Sequence, residues 1–386
     1  MLIGIPKEIM QGENRVSATP STVKTMVELG WQVLVEKDAG LGSHMSNQDY
    51  IEAGADLIEN VEELFERSDI ILKVKEPLFN ETLNKHEVDL MHAGQYLITF
   101  IHPASPVNHD MVKHMAERGI ISITLDGIPR ISRAQNMDAL TSMSTCAGYK
   151  GILMGANELP RFAPQMFTAI GMIKPINGLV IGVGVGGLQA IATLKRLGAV
   201  TYATDIRPDA CEQATSLGAR VIDLNVPAAE AVGEGGYALS LSQERLDEER
   251  TILAEHIKDA DIVFLSALVP GKIAPILVTK EMVASMKSGS VIIDISIDQG
   301  GNCEATVPGE IVKVDDVTII GVKNIPGMLP ESSTSMFAFN VLNLLKYLIK
   351  DGQVSLDFGD EIIQKSLTTY DGKVVHEGAK EAMGLA

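Results

Sequence analysis

The stretch Gly178-Leu-Val-Ile-Gly182-Val-Gly184-Val-Gly-Gly187-Leu-Gln-Ala-Ile-Ala-Thr-Leu-Lys-Arg-Leu-Gly198 organises the rest of the sequence. Leu179 to Ile181 is an apolar run without period, as expected of a strand buried on both faces. Glycines at 182, 184 and 187 form G-x-G-x-x-G. A helical pattern follows as far as Gly198, a natural helix stop. A second apolar strand, Val200 to Thr204, then ends on Asp205, 18 residues past the last glycine. Strand, glycine turn, helix, strand and acid make a dinucleotide-binding unit.

Each position has a physical task. Gly182 permits a tight turn, Gly184 lets a pyrophosphate approach the backbone, and Gly187 lets helix and strand pack closely. The helix N-terminus offers unpaired N–H groups and partial positive charge to the phosphates. Asp205 is placed to accept hydrogen bonds from the adenosine ribose hydroxyls. Its charge repels a 2′-phosphate, which favours NAD(H) over NADP(H). Arg207, two residues on, weakens that discrimination.

The pattern extends outward in both directions. Upstream, Leu2–Ile5, Gln32–Val35, Ile70–Val74, Tyr96–Ile101 and Ile120–Thr124 read as strands between amphipathic helices, without a glycine fingerprint. Downstream, Arg220–Asp223, Ile262–Leu265, Val291–Ile295 and Thr318–Ile320 continue the nucleotide unit. Long helices are expected over 138–157 and from Ser333 to Ile349. The expected fold is α/β: two doubly wound parallel-sheet domains joined by two long helices, with a cleft between them. Residues 1–137 with 331–386 form the first domain, and 138–330 the nucleotide domain with its linker helix. The tail, Val354–Phe358, Glu361–Thr368 and Lys373–Val375, reads as short strands in a small antiparallel appendage. Val226 to Glu249 reads as a long loop, of a length usual for lids or disordered segments, or else as a neutral surface excursion.

A chain of 386 residues, 46% hydrophobic and 21% charged, has ample core for two or three domains. The net charge of −18 argues against nucleic acid or an anionic membrane as partner. Cys146, Cys211 and Cys303 have neither disulfide-framework nor zinc spacing, so no metal is expected and a reducing cytoplasm fits. The opening Met1-Leu-Ile-Gly-Ile-Pro6 reads as a strand start rather than a signal peptide, and no segment reads as a membrane span.

Four charged residues follow predicted strands: Arg15, Lys75, His102 and Asp298. Together they suit oxidation of a 2-amino or 2-hydroxy acid. Arginine grips a carboxylate bidentately, lysine polarises a carbonyl, and histidine exchanges a proton near neutral pH. Aspartate orients an ammonium or carbinolamine. Taken singly, Lys75 and Asp298 read better as surface ion pairs or strand-end caps than as catalytic groups. A second set, Arg130, Gln135 and Asp138, lies in a polar loop between the domains and has the chemistry to hold a carboxamide and a neighbouring phosphate.

Over nearly its whole length the chain resembles the alanine dehydrogenase / pyridine-nucleotide transhydrogenase superfamily. Gly4-Ile-Pro-Lys-Glu8, Glu13-Asn-Arg-Val16, Ala267-Leu-Val-Pro-Gly-Lys272 and Met286-Lys-Ser-Gly-Ser-Val-Ile-Ile-Asp294 fit both branches. Pro129-Arg-Ile-Ser-Arg-Ala-Gln-Asn-Met-Asp138 resembles the nicotinamide-site loop of the transhydrogenase alpha subunit, which gives Arg130, Gln135 and Asp138 that role. Gly235-Gly-Tyr-Ala238 resembles its mobile loop, whose tyrosine, here Tyr237, closes over the nucleotide. The resemblance adds Val185, Gly186, Ile206, Ala267 and Leu268 to the cofactor contacts. It implies NAD(H) as cofactor and a homodimer. It also implies partner subunits that bind NADP(H) and lie in the membrane. The chain itself is expected in the cytoplasm, reaching the inner membrane only through those partners.

Arg15, Lys75, His102 and Asp298 match instead the substrate and proton-transfer positions of alanine dehydrogenase. Asp298-Gln-Gly-Gly301 and Asn324-Ile-Pro-Gly327 are also closer to that branch. Three readings follow from the sequence. The leading one is a transhydrogenase alpha subunit. The second is a self-sufficient NAD-dependent amino-acid dehydrogenase, and the third a nucleotide-gated regulatory subunit.

Overall fold

The computed structural model describes residues 1–233, 238–269 and 273–385. The chain divides into two compact units, Met1–Met143 with Gly327–Ala386, and Ser144–Pro326. The first boundary falls inside the helix Ala139–Glu158.

The first unit is built on an eight-stranded sheet. Leu2–Ile5 lies between Gln32–Glu36 and Ile70–Leu72, and Asp56–Ile58 extends the Gln32 side. Tyr96–Thr99 and Ile121–Thr124 extend the other, and all these pairings are parallel. The chain order across these six strands is thus 3-2-1-4-5-6. Its direction reverses between the first and fourth strands, where ligands of such sheets collect. Leu2–Ile5 and Ile70–Leu72 are almost wholly buried because helices cover both faces. On one face Leu34, Ile71 and Leu97 pack with Leu64, Phe65, Val112 and Met115.

The tail corrects the sequence reading. Leu367–Tyr370 pairs antiparallel with Ile121–Thr124, and Lys373–Val374 then pairs with Leu367–Tyr370. These strands complete the main sheet instead of forming an appendage. Most of Glu361–Thr368 is the helix Glu361–Ser366, capped by the Asp360 carboxylate, and Glu377–Met383 is a second tail helix. The helix Pro330–Leu348 begins three residues earlier than the sequence pattern suggests, with Pro330 at its first position.

The second unit is built on a seven-stranded sheet in the order Arg220–Val221, Val200–Thr204, Asn177–Ile181, Ile262–Leu265, Val291–Asp294, Val317–Ile320 and Ile311–Val314. Every pairing is parallel except the last, Ile311–Val314 with Val317–Ile320. Its direction reverses beside Asn177–Ile181, the strand that leads into the glycine turn. The long loop expected over Val226–Glu249 is shorter in fact. Ala228–Ala231 is a short helix, and Gln243–Ile257 is a helix capped by Ser242. Asp56–Ile58 and the hairpin of Met166–Thr168 with Gly171–Ile173 lack the length or pattern that marks a strand in sequence.

Candidate nucleotide site and charged cluster

The glycine turn has the geometry that its spacing implies. Gly182 has φ +89°, and a Cβ there would lie 2.6 Å from the Ala267 nitrogen. A Cβ on Gly187 would collide with the carbonyl oxygen of Gly182. At Gly184 a Cβ would meet nothing within 4 Å, so this face of the turn is open. Gly184 is also the N-cap of the helix Val185–Arg196 and gives it no side-chain cap. An uncapped helix start beside an open glycine fits a pyrophosphate. Gly186 and Val185 form its first turn, and a Cβ on Gly148 would collide with the Gly186 carbonyl.

Asp205 follows Val200–Thr204, next to the turn, and its side chain is 7% exposed. Val183 N–H donates to Oδ2 at 2.7 Å. The backbone N–H and Nε of Arg207 donate to Oδ1 at 2.9 Å each, and Nη2 donates to Oδ2 at 2.8 Å. Four donors fill the four lone-pair positions of one carboxylate. The acid stands at the glycine turn, but its neighbour already holds it. Ile206 packs against the sheet core beneath.

Ala267 is held by Asn302, a fully buried residue that sequence reasoning passed over. Ala267 N–H donates to Asn302 Oδ1 at 3.0 Å, and Asn302 Nδ2 donates to the Ala267 carbonyl at 2.9 Å. Asn302 N–H in turn donates to the buried Asp294 at 2.9 Å. This cross-link fixes the loop that carries Ala267 and Leu268. Asp298 lies in the short 3-10 helix Ile297–Gln299 of this unit and is exposed. Tyr237 lies outside the described residues.

In the first unit Arg15, Lys75 and His102 come off the carboxyl ends of three adjacent strands. Arg15 is 3% exposed, and its Nε and Nη2 donate to the two Glu13 oxygens at 2.7 and 2.5 Å. Its Nη1 lies 2.9 Å from Met143 Sδ. The fork expected to grip a carboxylate therefore holds Glu13. Lys75 is half-buried, and the Thr99 hydroxyl donates to its carbonyl at 2.8 Å. The neighbouring Lys73 is the fully buried lysine, paired with Glu8 at 3.2 Å and Glu87 at 2.9 Å.

His102 has φ +48°, stacks on Phe100, and keeps a side chain 45% exposed. Its Nδ1 lies 2.7 Å from Asp126 Oδ1. Burial pulls the imidazole down, but the Asp126 charge and hydrogen bond outweigh it and raise its pKa. Glu76, one of whose carboxylate oxygens is buried without a hydrogen-bond partner, raises it further, while Lys75 opposes. Burial would raise Asp126, but His102 and the Thr124 hydroxyl hold it at about 2. Asp126 was legible only through register. Thr99 pairs with Thr124, which puts the residues after both strands side by side.

In the third set, Arg130 and Gln135 are exposed, and Gln135 starts the 3-10 helix Gln135–Met137. Asp138 is buried and caps the helix Ala139–Glu158. It accepts from Thr141 N–H at 2.8 Å and from the Thr141 hydroxyl at 2.6 Å. Asn340 Nδ2 donates to the Asn136 carbonyl at 2.9 Å and ties this loop to the helix Pro330–Leu348. Among the described residues no group of three or more acidic, histidine or cysteine side chains is arranged to hold a metal ion. Among them, too, no helix is long and apolar enough to cross a membrane.

Two parallel sheets of Rossmann order, one with an open glycine turn beside an acid, define a dinucleotide-binding α/β protein. The chain belongs to the alanine dehydrogenase/PNT family. Residues 4–147 match its N-terminal domain and 151–377 its C-terminal domain. An NAD(P) transhydrogenase alpha-subunit chain of Rhodospirillum rubrum is 41% identical over 380 residues, 97% of this chain and 98% of that one. The alanine dehydrogenase of Staphylococcus haemolyticus is 32% identical over 395 residues, 100% of this chain and 97% of that one. The crystal structure of a transhydrogenase from Sinorhizobium meliloti matches with a TM-score of 0.83 and 35% identity, over 98% of this chain and 99% of that one. The family is one of oxidoreductases, and its Rossmann unit implies a nicotinamide nucleotide.

Proposed function

We propose that this chain is the soluble, NAD(H)-binding alpha subunit of a proton-translocating NAD(P) transhydrogenase. The carrying observation is the open turn at Gly184 beside the Asp205 carboxylate, on a chain related along its full length to a transhydrogenase alpha subunit. Gly182, Gly184 and Gly187 with the first N–H groups of the helix Val185–Arg196 would hold the pyrophosphate, and Asp205 the adenosine ribose. Arg130, Gln135 and Asp138 would serve the nicotinamide half. The bound dinucleotide supplies a hydride, and the acceptor is NADP+ on a partner subunit. Such a transfer releases no proton, so the chain's contribution is positioning and exclusion of water. Tyr237 is assigned to that exclusion. A homodimer, docking on membrane-embedded partners and a cytoplasmic location belong to the same reading.

Purified alone, the chain is expected to bind NADH without turning it over. Hydride transfer to NADP+ should appear when an NADP(H)-binding partner subunit is added. Oxidation of an amino acid with NAD+ by the isolated chain, at an ordinary enzymatic rate, would overturn this reading.

The His102–Asp126 pair, with Lys75 and Glu76 beside it, favours a second reading: an amino-acid dehydrogenase. There Arg15, once released from Glu13, would bind the carboxylate, Lys75 the carbonyl oxygen and Asp298 the imine or carbinolamine, with His102 moving the proton. Turnover of pyruvate plus ammonia that His102→Ala abolishes, with NADH binding retained, would establish it. Inactivity of the wild-type chain on every 2-amino acid tested would end it.

A further inference from the structure

Asp205 is the residue expected to discriminate against a 2′-phosphate, yet a cation is paired with it where it stands. Arg207 donates to both of its oxygens, and the pair is net neutral. Ribose hydroxyls can reach Asp205 only if some of those bonds open. A guanidinium released beside the ribose attracts a 2′-phosphate. Asp205 and Arg207 together therefore give little reason to refuse NADP(H).

A second carboxyl lies within reach of the Asp205 charge. Glu249 is on the helix Gln243–Ile257, one turn before Leu253 and two before Ile257. Those two residues are fully buried in the core on the sheet strands Asn177–Ile181 and Ile262–Leu265. Glu249 shares their stripe and is 3% exposed. Its Oε1 is buried with no hydrogen-bond partner. The strongest charge acting on it is Asp205. Arg250, on its own helix, opposes more weakly, and its guanidinium is engaged with Asp247 at 2.7 Å and with the Ile276 carbonyl. Asp209 and Asp223, the other acids near this half-site, act on Arg207 and Cys211.

We propose that Glu249, rather than Asp205 alone, carries the negative charge by which this chain refuses a 2′-phosphate and so selects NAD(H) over NADP(H). The proposal rests on the nucleotide site assigned above. A buried carboxyl oxygen without a partner is an unusual thing for a helix stripe to keep, since it costs stability. Here it restores the net negative charge that Arg207 removes. It also makes the selectivity depend on pH. Burial first, and then the Asp205 charge, push Glu249 up to about 7. Below neutrality the group is protonated and the half-site neutral. Above it the group is ionised and repels the 2′-phosphate.

The test is a fluorescence titration of NADH and NADPH onto the full chain and its E249Q variant between pH 6 and 8 at constant ionic strength. In the wild type the ratio of NADPH to NADH dissociation constants should rise roughly tenfold across that range. In E249Q it should rise less than about threefold and stay near the wild-type value at pH 6. The 2′-phosphate titrates near pH 6 itself, but acts on both proteins alike. Superimposable ratio profiles for the two proteins would overturn the proposal. So would a flat wild-type profile, which needs no variant to read. If neither protein binds NADH at any pH, the nucleotide reading falls and takes this proposal with it.

Discussion

At the scale of single residues, the structure separates groups that sequence reads alike. Arg15 and Arg207 both look like ligand-gripping cations, yet each is already clamped on a carboxylate two residues away. A nearby acid in sequence is therefore a signal that an arginine is held, which the motif alone does not reveal. Glu249 carries the opposite lesson. It sits where an apolar residue is expected, and protonation is its cheapest state. Its folded pKa exceeds the ordinary 4.5, so the penalty for ionising it is absent below pH 4.5 and complete above about 7. Replacing it with glutamine should leave stability unchanged at pH 4 and raise it at pH 8 by up to about 3 kcal/mol. Urea unfolding at the two pH values reads this directly, and an equal effect at both would refute a buried titrating carboxyl. The His102–Asp126 pair has the other sign on each side. Asp126 is depressed, so its contribution is present above its unfolded value of 3.8 and lost as pH falls through about 2. His102 is raised, so its contribution is complete below 6.5 and lost as pH climbs through the raised value. In Asp126→Asn the imidazole keeps its burial and loses its counter-charge. Its pKa should fall below that of the wild type in an NMR titration, and an unchanged value would show that the pair does not set it.

At the scale of elements, much was legible because the signal was local. The run Leu179–Ile181, the glycines and the helix to Arg196 form one contiguous stretch, and each constraint lies within a few residues of its partner. Gly187 shows the tightness of that fit. A Cβ there meets the Gly182 carbonyl, a backbone atom that cannot swing aside. Gly187→Ala should cost about 1–3 kcal/mol in urea unfolding and weaken NADH binding, whereas a neutral substitution would mean that the turn is looser than drawn. Elements whose identity depends on distant partners were less legible. Leu367–Tyr370 is a strand because Ile121–Thr124 has an edge to fill, some 240 residues earlier in the chain. Asp56–Ile58 is three residues long, too short to show a period. Glu361–Ser366 has Ile362 and Ile363 buried side by side, which reads as a strand until the Asp360 cap is recognised. Asn302 illustrates the same limit within the site. Nothing about Gly301-Asn-Cys announces that its amide bridges Ala267 and Pro275, because that bridge exists only after both strands are placed.

At the scale of the whole molecule, one sheet order is used twice and only one copy acquires a phosphate turn. In the first unit Leu2–Ile5 occupies the place that Asn177–Ile181 holds in the second, with the direction of the sheet reversing beside each. The first strand is followed by Lys7, Glu8 and the Arg15–Glu13 pair instead of by a G-x-G-x-x-G run. Its chemistry at that point is charged side chains, whereas that of the second unit is bare backbone. A dinucleotide anchored as proposed must therefore leave its pyrophosphate signature in Ser144–Pro326. Ligand binding stabilises whatever it binds by about 2.7 kcal/mol at a hundredfold excess over Kd. Amides that open only locally are slowed in proportion. Hydrogen exchange of the full chain with saturating NADH should slow at Val183–Leu188, at Asp205–Arg207 and around Ala267. In Gly184→Val the added side chain enters the open space above the turn, where the pyrophosphate is expected, and the slowing at these amides should disappear. Protection confined to the segments around Arg15, Lys75 and His102 would place the anchoring phosphates on the first sheet and remove the glycine turn from the site.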